Sequence, residues 1–296
     1  MLSHTLLGRT PSIELIESIA DVAIELRYPG AKLERYSANL KLALSAEPPP
    51  FGTPEYGDVY RHLSVEPRWM AVSLVTNAER EGDGSRRLWS LAACASDKRH
   101  RRLLKKHACD ESRHARMYLA LLQLSFPGSV SPEFAEELRQ LSPGFALHQD
   151  LYPIPGSPYA KNPTIDDFLQ MNIAEIRTMV HHTMQRPVLS RHCPPEHQDK
   201  ITQLLDRLLE DELSHIAYTA VLVDELGAVV DGERLAELFV KRLRDFNLIT
   251  NQELGGNVFD CSVACCAKRP TCRAKVSDSA GPVYQVMPPP MVSRER

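Results

Sequence analysis

A five-residue pattern, Asp-Glu-x-x-His, occurs twice in the chain, at residues 110–114 and 211–215. Residues three apart share one face of an α-helix, so the Glu and His of each copy can bind the same metal ion if both segments are helical. Both copies fall within long segments whose apolar residues recur at helical spacing, and no other Glu-x-x-His occurs. The repeat therefore predicts two equivalent helices that each carry half of a metal site.

Helical spacing of apolar residues extends over most of the chain, and strand signals are almost absent. We therefore predict an all-α protein built on four long helices. Thr164 and Asp167 are placed to form a capping box at the start of the third one. The long helices are expected at about 67–95, 99–124, 164–185 and 194–227, and shorter ones at about 10–26, 31–45, 132–141 and 231–251.

Turn-forming residues divide the chain into three parts. Residues 1–50 are predicted to be an N-terminal helical extension, which ends at a proline-rich linker. Residues 51–255 contain the four long helices and a flanking C-terminal helix. Residues 256–296 are rich in Pro, Cys and Arg and are expected to be disordered.

Four of the seven cysteines cluster in this last part of the chain. They include no Cys-x-x-Cys pair, so a zinc ribbon or a rubredoxin-type iron site has little support. The cluster could bind a metal, accept a lipid beside Lys268 and Arg269, or do neither, and the last alternative is favoured. The clustered residues are Cys261, Cys265, Cys266 and Cys272.

The charge and hydropathy of the chain exclude several kinds of partner. A formal net charge of −3 gives no indication of nucleic acid or an acidic membrane surface. The sequence contains no apolar run long enough to span a membrane, and residues 1–15 lack the basic start and long apolar stretch that would predict a secretory signal. We therefore expect a cytoplasmic protein with no membrane and no nucleic acid as partners.

A dinuclear metal site needs one further carboxylate from each of the two remaining long helices. The third long helix offers Glu175, and the first offers Glu79 or Glu81. Glu81 shares its stripe with small and apolar residues, whereas Glu79 has Arg86 on its face, which is harder to bury. We select Glu81 and keep Glu79 as the alternative. The candidate ligands are Glu81, Glu111, His114, Glu175, Glu212 and His215.

This pattern resembles the ferritin-like diiron carboxylate superfamily over about residues 67–227. The resemblance implies a ferritin-like four-helix bundle, with extra N-terminal helices and an additional C-terminal helix, that holds two iron ions through these six ligands. It also implies that Asp110 and Asp211 hydrogen-bond the ligating histidines. Manganese, or a mixed manganese–iron pair, is compatible with the same ligand types. The motif is more similar to those of bacterial multicomponent monooxygenases and small-subunit ribonucleotide reductases than to that of ferritins.

The sequence departs from these relatives near the expected substrate pocket. Hydrocarbon monooxygenases have a Thr one turn beyond the third-helix Glu, where this chain has Met179 beside Thr178. The p-aminobenzoate N-oxygenase group adds a His one turn before the last Glu-x-x-His, where this chain has Leu208. His182 follows Glu175 by two helical turns, about 10 Å along the axis, which is too far to bind the same metal pair. It is a candidate pocket residue or proton relay, with a structural histidine as the commoner interpretation.

Two further histidines, His100 and His107, precede His114 at intervals of seven residues. As for His182, a pocket or proton-relay role is possible for each, but a structural role is the commoner interpretation, and we expect both to be structural. No tyrosine near the motifs is an obvious site for a stable radical, which weakens the resemblance to ribonucleotide reductase.

Together these features predict a non-heme diiron oxygenase that activates O2 and hydroxylates or N-oxygenates a small organic substrate. Such an enzyme takes electrons from an external donor, because the metal pair must be reduced again after each cycle. A ferroxidase or a rubrerythrin-like protein that handles iron or peroxide is the alternative, since it would share the ligands. A metal-free helical scaffold is the non-enzymatic alternative, and a homodimer is left open.

Overall fold

The computed structural model describes residues 6–141 and 156–253 of the chain. Within these ranges every regular element is helical, which confirms the predicted all-α class. Short 3-10 turns at Pro50–Gly52 and Pro195–His197 precede the third and the eighth helix. The helices are α1 (Ile13–Arg27), α2 (Glu34–Ala46), α3 (Pro54–Leu63), α4 (Pro67–Cys94), α5 (Lys98–Ser125), α6 (Pro132–Leu141), α7 (Ile165–His192), α8 (Gln198–Gly227) and α9 (Gly232–Glu253).

Side chains that cap the first turn determine where α5 and α7 begin. The capping box predicted for α7 is present, because the Asp167 N–H donates to Thr164 Oγ1 (3.4 Å) and the Thr164 N–H donates to Asp167 Oδ2 (2.9 Å). Asp97 caps α5 by accepting a hydrogen bond of 2.8 Å from the His100 N–H. Both starts lie within a residue or so of the positions that the sequence predicts.

The end of α7 differs from the prediction. The sequence predicts an end near residue 185, whereas the helix continues through Pro187 to His192. A proline inside a helix removes one backbone hydrogen bond and costs roughly 3 kcal/mol. Val188 and Leu189, the next two residues, are buried in the apolar core, and their packing offsets this cost. Similarly, α8 begins at Gln198, after a 3-10 turn that occupies the predicted first turn.

Helix α3 lies in a segment that has no predicted helix. Thr53 caps it by accepting from the Tyr56 N–H, and Pro54 occupies the first helical position, which suits a proline. Tyr56 and Tyr60 are buried one turn apart, and both rings stack on His181 of α7. Such a short helix depends on these tertiary contacts, and periodicity within ten residues does not reveal them.

The four long helices form two hairpins, α4–α5 and α7–α8, each closed by a connection of a few residues. Extensive contact along each pair makes its helices antiparallel neighbours, and α5 also packs against α8. The two motif-bearing helices are therefore in contact, with the motifs at a similar depth. Apolar side chains fill the space between the hairpins on one side of the motifs, among them Met70, Leu74, Leu121, Leu122, Leu205 and Leu208.

Helices α1 and α2 pack on the second hairpin. The Tyr36 N–H donates to Asp224 Oδ1 (2.9 Å), and the Tyr36 phenol donates to Asn172 Oδ1 (2.8 Å). The Asn172 Nδ2–H in turn donates to the Ile216 carbonyl (3.0 Å). Residues 1–50 thus belong to the same compact unit, Met1–Thr250, as the four long helices.

The expected disordered part, 256–296, and its cysteine cluster lie outside the described residues. Much of the turn-rich connection between α6 and α7 does so as well. Among the described helices, none combines the length and the apolar character that crossing a membrane requires.

Candidate metal centre

Side chains from four helices converge between the two hairpins. Glu81 of α4 and the motif residues Glu111 and His114 of α5 place their donor atoms within 4.8 Å of one another. Glu81 Oε2, Glu111 Oε1 and Glu212 Oε1 lie 3.7, 3.5 and 3.3 Å from Nδ1 of His114. Three carboxylates therefore surround one imidazole nitrogen. Glu81, rather than the alternative Glu79, is the carboxylate that α4 contributes to this group.

A second group of donors lies beside the first and shares Glu111 with it. Its members are His107, Glu111, Glu175 and His215, again with donor atoms within 4.8 Å of one another. His107 Nε2 lies 3.0 Å from Glu175 Oε1 and 3.3 Å from Glu111 Oε1. His215 Nδ1 lies 3.6 Å from Glu111 Oε1 and 3.3 Å from Glu212 Oε2. The structure thus brings together all six side chains that the sequence selects as ligands.

The close approach of α4 to α5 at this level depends on small residues. A Cβ atom on Gly84 would lie 3.3 Å from Glu111 Oε2, so a larger side chain there would press on that carboxylate. Ser85, fully buried, donates a hydrogen bond of 2.6 Å to the Ala108 carbonyl of α5. These two contacts hold the Glu81 segment against the helix that carries the first motif.

Each motif histidine donates a hydrogen bond to the aspartate of the other motif through the ring nitrogen that faces away from the cluster. His215 Nε2 donates to Asp110 Oδ2 (3.2 Å), and His114 Nε2 donates to Asp211 Oδ2 (3.3 Å). Arg113 donates to both aspartates, at 2.6 and 2.5 Å. Burial raises the pKa of both carboxyls. Hydrogen bonds from His215 and Lys106 nevertheless hold the pKa of Asp110 below its ordinary value, and those from His114 and Arg113 do the same for Asp211. Both aspartates therefore accept an Nε2–H, which leaves Nδ1 of each ring turned toward the centre.

Several buried atoms at the centre have no hydrogen-bond partner. Leaving one buried polar atom unpaired costs about 1–3 kcal/mol, and here such atoms face one another from two helices, α5 and α8. Bound cations would satisfy them together, and carboxylate oxygens with imidazole nitrogens are donors that suit iron and manganese. The residues present therefore fit a metal centre. The unpaired atoms are His107 Nε2, Glu111 Oε1, His114 Nδ1 and Glu212 Oε1.

The electrostatics of the cluster also favour a cation. Burial and the neighbouring Glu111 raise the pKa of the Glu81 carboxyl well above its ordinary value. Burial together with Glu175 does the same for Glu212. Carboxylates that repel one another in a buried site hold protons in place of charge unless a cation neutralises them. Divalent ions would allow all of these groups to ionise at neutral pH.

His107 is the cluster residue that the sequence prediction misses. It is expected to be structural, yet its Nε2 belongs to the second group of donors. It precedes Glu111 by four residues, so it shares the inner face of α5, and this spacing was the available signal. His100, a further seven residues back, instead packs edge-on against Phe168, with ring centroids 5.1 Å apart.

The three candidate pocket residues follow Glu175 along α7. His182 is buried, and its Nε2 lies 3.8 Å from Glu212 Oε1. Burial and the nearby His114 lower the pKa of His182 to about 3, so this imidazole is neutral. Met179 is fully buried and Thr178 is half-buried.

Two tyrosines lie next to the cluster, although the sequence suggests no obvious candidate. The hydroxyl of Tyr218 lies 2.7 Å from His107 Nδ1, and that of Tyr118 lies 3.3 Å from Nε2 of His182. Burial raises the pKa of both phenols, so both keep their protons. Each tyrosine follows a motif histidine by three or four residues, so helical spacing could have indicated them.

Comparison of the chain with protein-family models, curated proteins and solved structures gave no match. The metal centre is therefore inferred from the side chains themselves.

Proposed function

We propose that this chain is a ferritin-like diiron carboxylate protein that activates dioxygen and oxygenates a small organic substrate. The observation that carries this proposal is the pair of donor groups that share Glu111. A carboxylate common to both groups is what two adjacent metal ions need, because it can bridge them. The first group takes Glu111 and His114 from the first motif, and the second group combines Glu111 of the first motif with His215 of the second.

The ligand types support iron. The cluster offers carboxylates and imidazoles, and neither donor group in the described residues includes a cysteine. This set suits iron or manganese, whereas thiolates would favour zinc or an iron–sulfur cluster. We take iron in both positions, with manganese or a mixed pair as the alternative. Two iron ions held there would supply the electrons that reduce dioxygen.

The chain's own residues hold the ligands in position. Asp110 and Asp211 accept hydrogen bonds from Nε2–H of His215 and His114, respectively. The Nδ1 atoms of these two histidines therefore face the centre. Arg113 connects the two aspartates and keeps them ionised. This arrangement fixes both imidazole rings before any metal binds, which favours a defined geometry over a flexible storage site.

The substrate side is proposed to lie along α7 beyond Glu175, where Thr178 and Met179 follow after about one turn and His182 after about two. His182 is neutral at physiological pH, and its Nε2 lies 3.3 Å from the Tyr118 hydroxyl and 3.8 Å from the Glu212 carboxyl. With so low a pKa it would line the pocket as a neutral side chain and would not take a proton from Glu212. A small organic molecule bound here would be near the cluster, and electrons would come from an external donor.

Anaerobic titration of the metal-free protein with Fe(II), followed by O2 uptake in an oxygen electrode, tests this function. We expect saturation at two ions per chain and prompt O2 uptake by the loaded protein. Glu81→Gln should lose most of both signals. Glu79→Gln is the matched control, because Glu79 lies two residues away on the same helix and outside both donor groups. Equal behaviour of the two variants, or no iron binding by the natural protein, would contradict the proposal.

The same assay separates an oxygenase from an iron-handling protein. With an oxygenase, O2 uptake should stop once two ions per chain are oxidised, and resume only with a reductant. Continued uptake and iron accumulation on further Fe(II) additions would instead indicate a ferroxidase, and rapid loss of added H2O2 a peroxidase. Transfer of label from 18O2 to aromatic amines or hydrocarbons, detected by mass spectrometry, would identify the substrate class.

A further inference from the structure

His107 approaches the cluster as closely as the six predicted ligands do. It is 1% exposed, and its Nε2 lies 3.0 Å from Glu175 Oε1 and 3.3 Å from Glu111 Oε1, with no hydrogen bond to satisfy it. Its ring stacks on that of His215, with centroids 3.7 Å apart. Two imidazoles therefore lie side by side against the same carboxylates.

Tyr218 contacts the His107 nitrogen that faces away from the carboxylates. The Tyr218 hydroxyl lies 2.7 Å from His107 Nδ1 and 3.8 Å from Met171 Sδ, so a hydroxyl that donates to the sulfur accepts a hydrogen bond from His107 Nδ1–H. The lone pair of His107 Nε2 then points at the oxygens of Glu111 and Glu175. A lone pair facing two carboxylates is repulsive unless a proton or a metal ion lies between them, and a metal ion there would be bound by all three side chains.

The second hairpin has no equivalent of this histidine. The mirrored position, four residues before Glu212, is Leu208, which is fully buried and cannot bind a metal. The two halves of the centre therefore differ in composition although their motifs are the same. One half offers His107, His215, Glu111 and Glu175, and the other offers His114, Glu81, Glu111 and Glu212.

We propose that His107 is a seventh ligand and that it makes the two metal positions unequal. One position is rich in imidazole and the other in carboxylate. This inference rests on the proposed dinuclear centre. Imidazole favours ions late in the divalent series, whereas carboxylates discriminate less and suit manganese. The imidazole-rich position therefore binds Fe(II) or Co(II) first, and the carboxylate-rich position is the one that accepts manganese.

Calorimetric titration of the metal-free protein with Co(II), followed in parallel by visible absorption, tests the inequality. The natural protein should show two phases of unequal affinity, and an equimolar Co(II)–Mn(II) mixture should fill the tighter phase with cobalt. His107→Leu gives α5 the residue that α8 has at the mirrored position, and it should weaken the tighter phase by about 100-fold or more. His100→Leu is the matched control on the same helix, and it should leave both phases unchanged.

Tyr218→Phe provides a second test that keeps the histidine and the fold. It removes the acceptor of the Nδ1–H, and it should weaken the tighter phase by about 10- to 100-fold. If the natural protein binds two ions and both variants retain its affinities, His107 is structural and the inference fails while the dinuclear centre stands. If the natural protein binds no Co(II), both fail. If His107→Leu does not fold, the Tyr218→Phe titration decides.

Discussion

Asp110 supports a histidine that belongs to the opposite motif: its Oδ2 accepts a hydrogen bond of 3.2 Å from Nε2 of His215. Asp211 supports His114 in the same way, at 3.3 Å. Each Asp-Glu-x-x-His segment therefore turns its Glu and His toward the centre and its Asp toward the neighbouring helix. Neither motif can orient its own histidine alone, so the two motifs form a working unit only when α5 and α8 are in contact.

Asp110→Asn should weaken metal binding without unfolding the protein. The amide keeps the shape of the side chain but loses the charge that favours the Nε2–H of His215, and loss of such a partner costs about 10- to 100-fold in metal affinity. Asp211→Asn should have a similar effect, since it supports His114. Competition with a fluorescent chelator for Fe(II) measures the change. Asp206→Asn, an exposed position on α8, is the control, and equal affinity of all three variants would refute the prediction.

Arg113→Gln should mainly reduce stability. Arg113 donates to Asp110 and Asp211, whose side chains are only 5% and 4% exposed. Without it each carboxylate keeps one other basic partner, at 2.6 and 2.9 Å. We therefore expect a loss of about 1–3 kcal/mol in the free energy of unfolding, which urea denaturation of the metal-free protein measures. A loss no larger than that of Arg102→Gln, an exposed position on the same helix, would count against this role.

Gly84→Ala should change stability and metal binding in opposite directions. Alanine is favoured over glycine inside a helix by about 1 kcal/mol, so the metal-free protein should melt at the same or a higher temperature. The new Cβ would lie 3.3 Å from Glu111 Oε2 and would displace that shared carboxylate. Thermal unfolding with and without Fe(II) tests both effects in one variant. We expect Fe(II) to raise the melting temperature of Gly84→Ala less than that of the natural protein. An equal rise in both proteins would show that a Cβ at position 84 does not displace the Glu111 carboxylate.

The buried His181 should make the protein sensitive to acid. Burial and the charge of Arg177 lower its pKa in the folded state well below the ordinary value of 6.5. Below about pH 6.5 the unfolded chain binds a proton that the folded chain does not, so stability falls as pH falls, approaching about 1.4 kcal/mol per pH unit. The difference in unfolding free energy between the natural protein and His181→Gln, both metal-free, isolates this group between pH 7.5 and 5. Parallel curves would mean that His181 takes up its proton equally in the folded and the unfolded state.

The parts of the site that follow from spacing within one helix were accessible from the sequence. Glu111 and His114 share a face because they are three residues apart, and the same holds for the second motif. The Thr164–Asp167 capping box is equally local, and it is present. The choice of Glu81 over Glu79 depended on which face of α4 is buried, and the spacing of apolar residues indicates that face.

The parts that depend on contacts between helices were not accessible. The spacing of His107 and Glu111 places both on one face of α5, but only the contacts of His107 with Glu175 of α7 and Tyr218 of α8 separate a candidate ligand from a structural histidine. Pro187 suggests the end of a helix by local rules, but packing of Val188 and Leu189 in the core continues it. Tertiary contacts prevailed over local preference in both cases.

The most direct test is to locate the metal ions. Crystals of the protein loaded anaerobically with Fe(II) can be measured on both sides of the iron absorption edge. We predict two anomalous peaks per chain between α4, α5, α7 and α8, one beside His114 and one beside His215 and His107, with the Glu111 carboxylate between them. No peak at this position, or iron bound only elsewhere on the chain, would contradict the existence of a dinuclear centre.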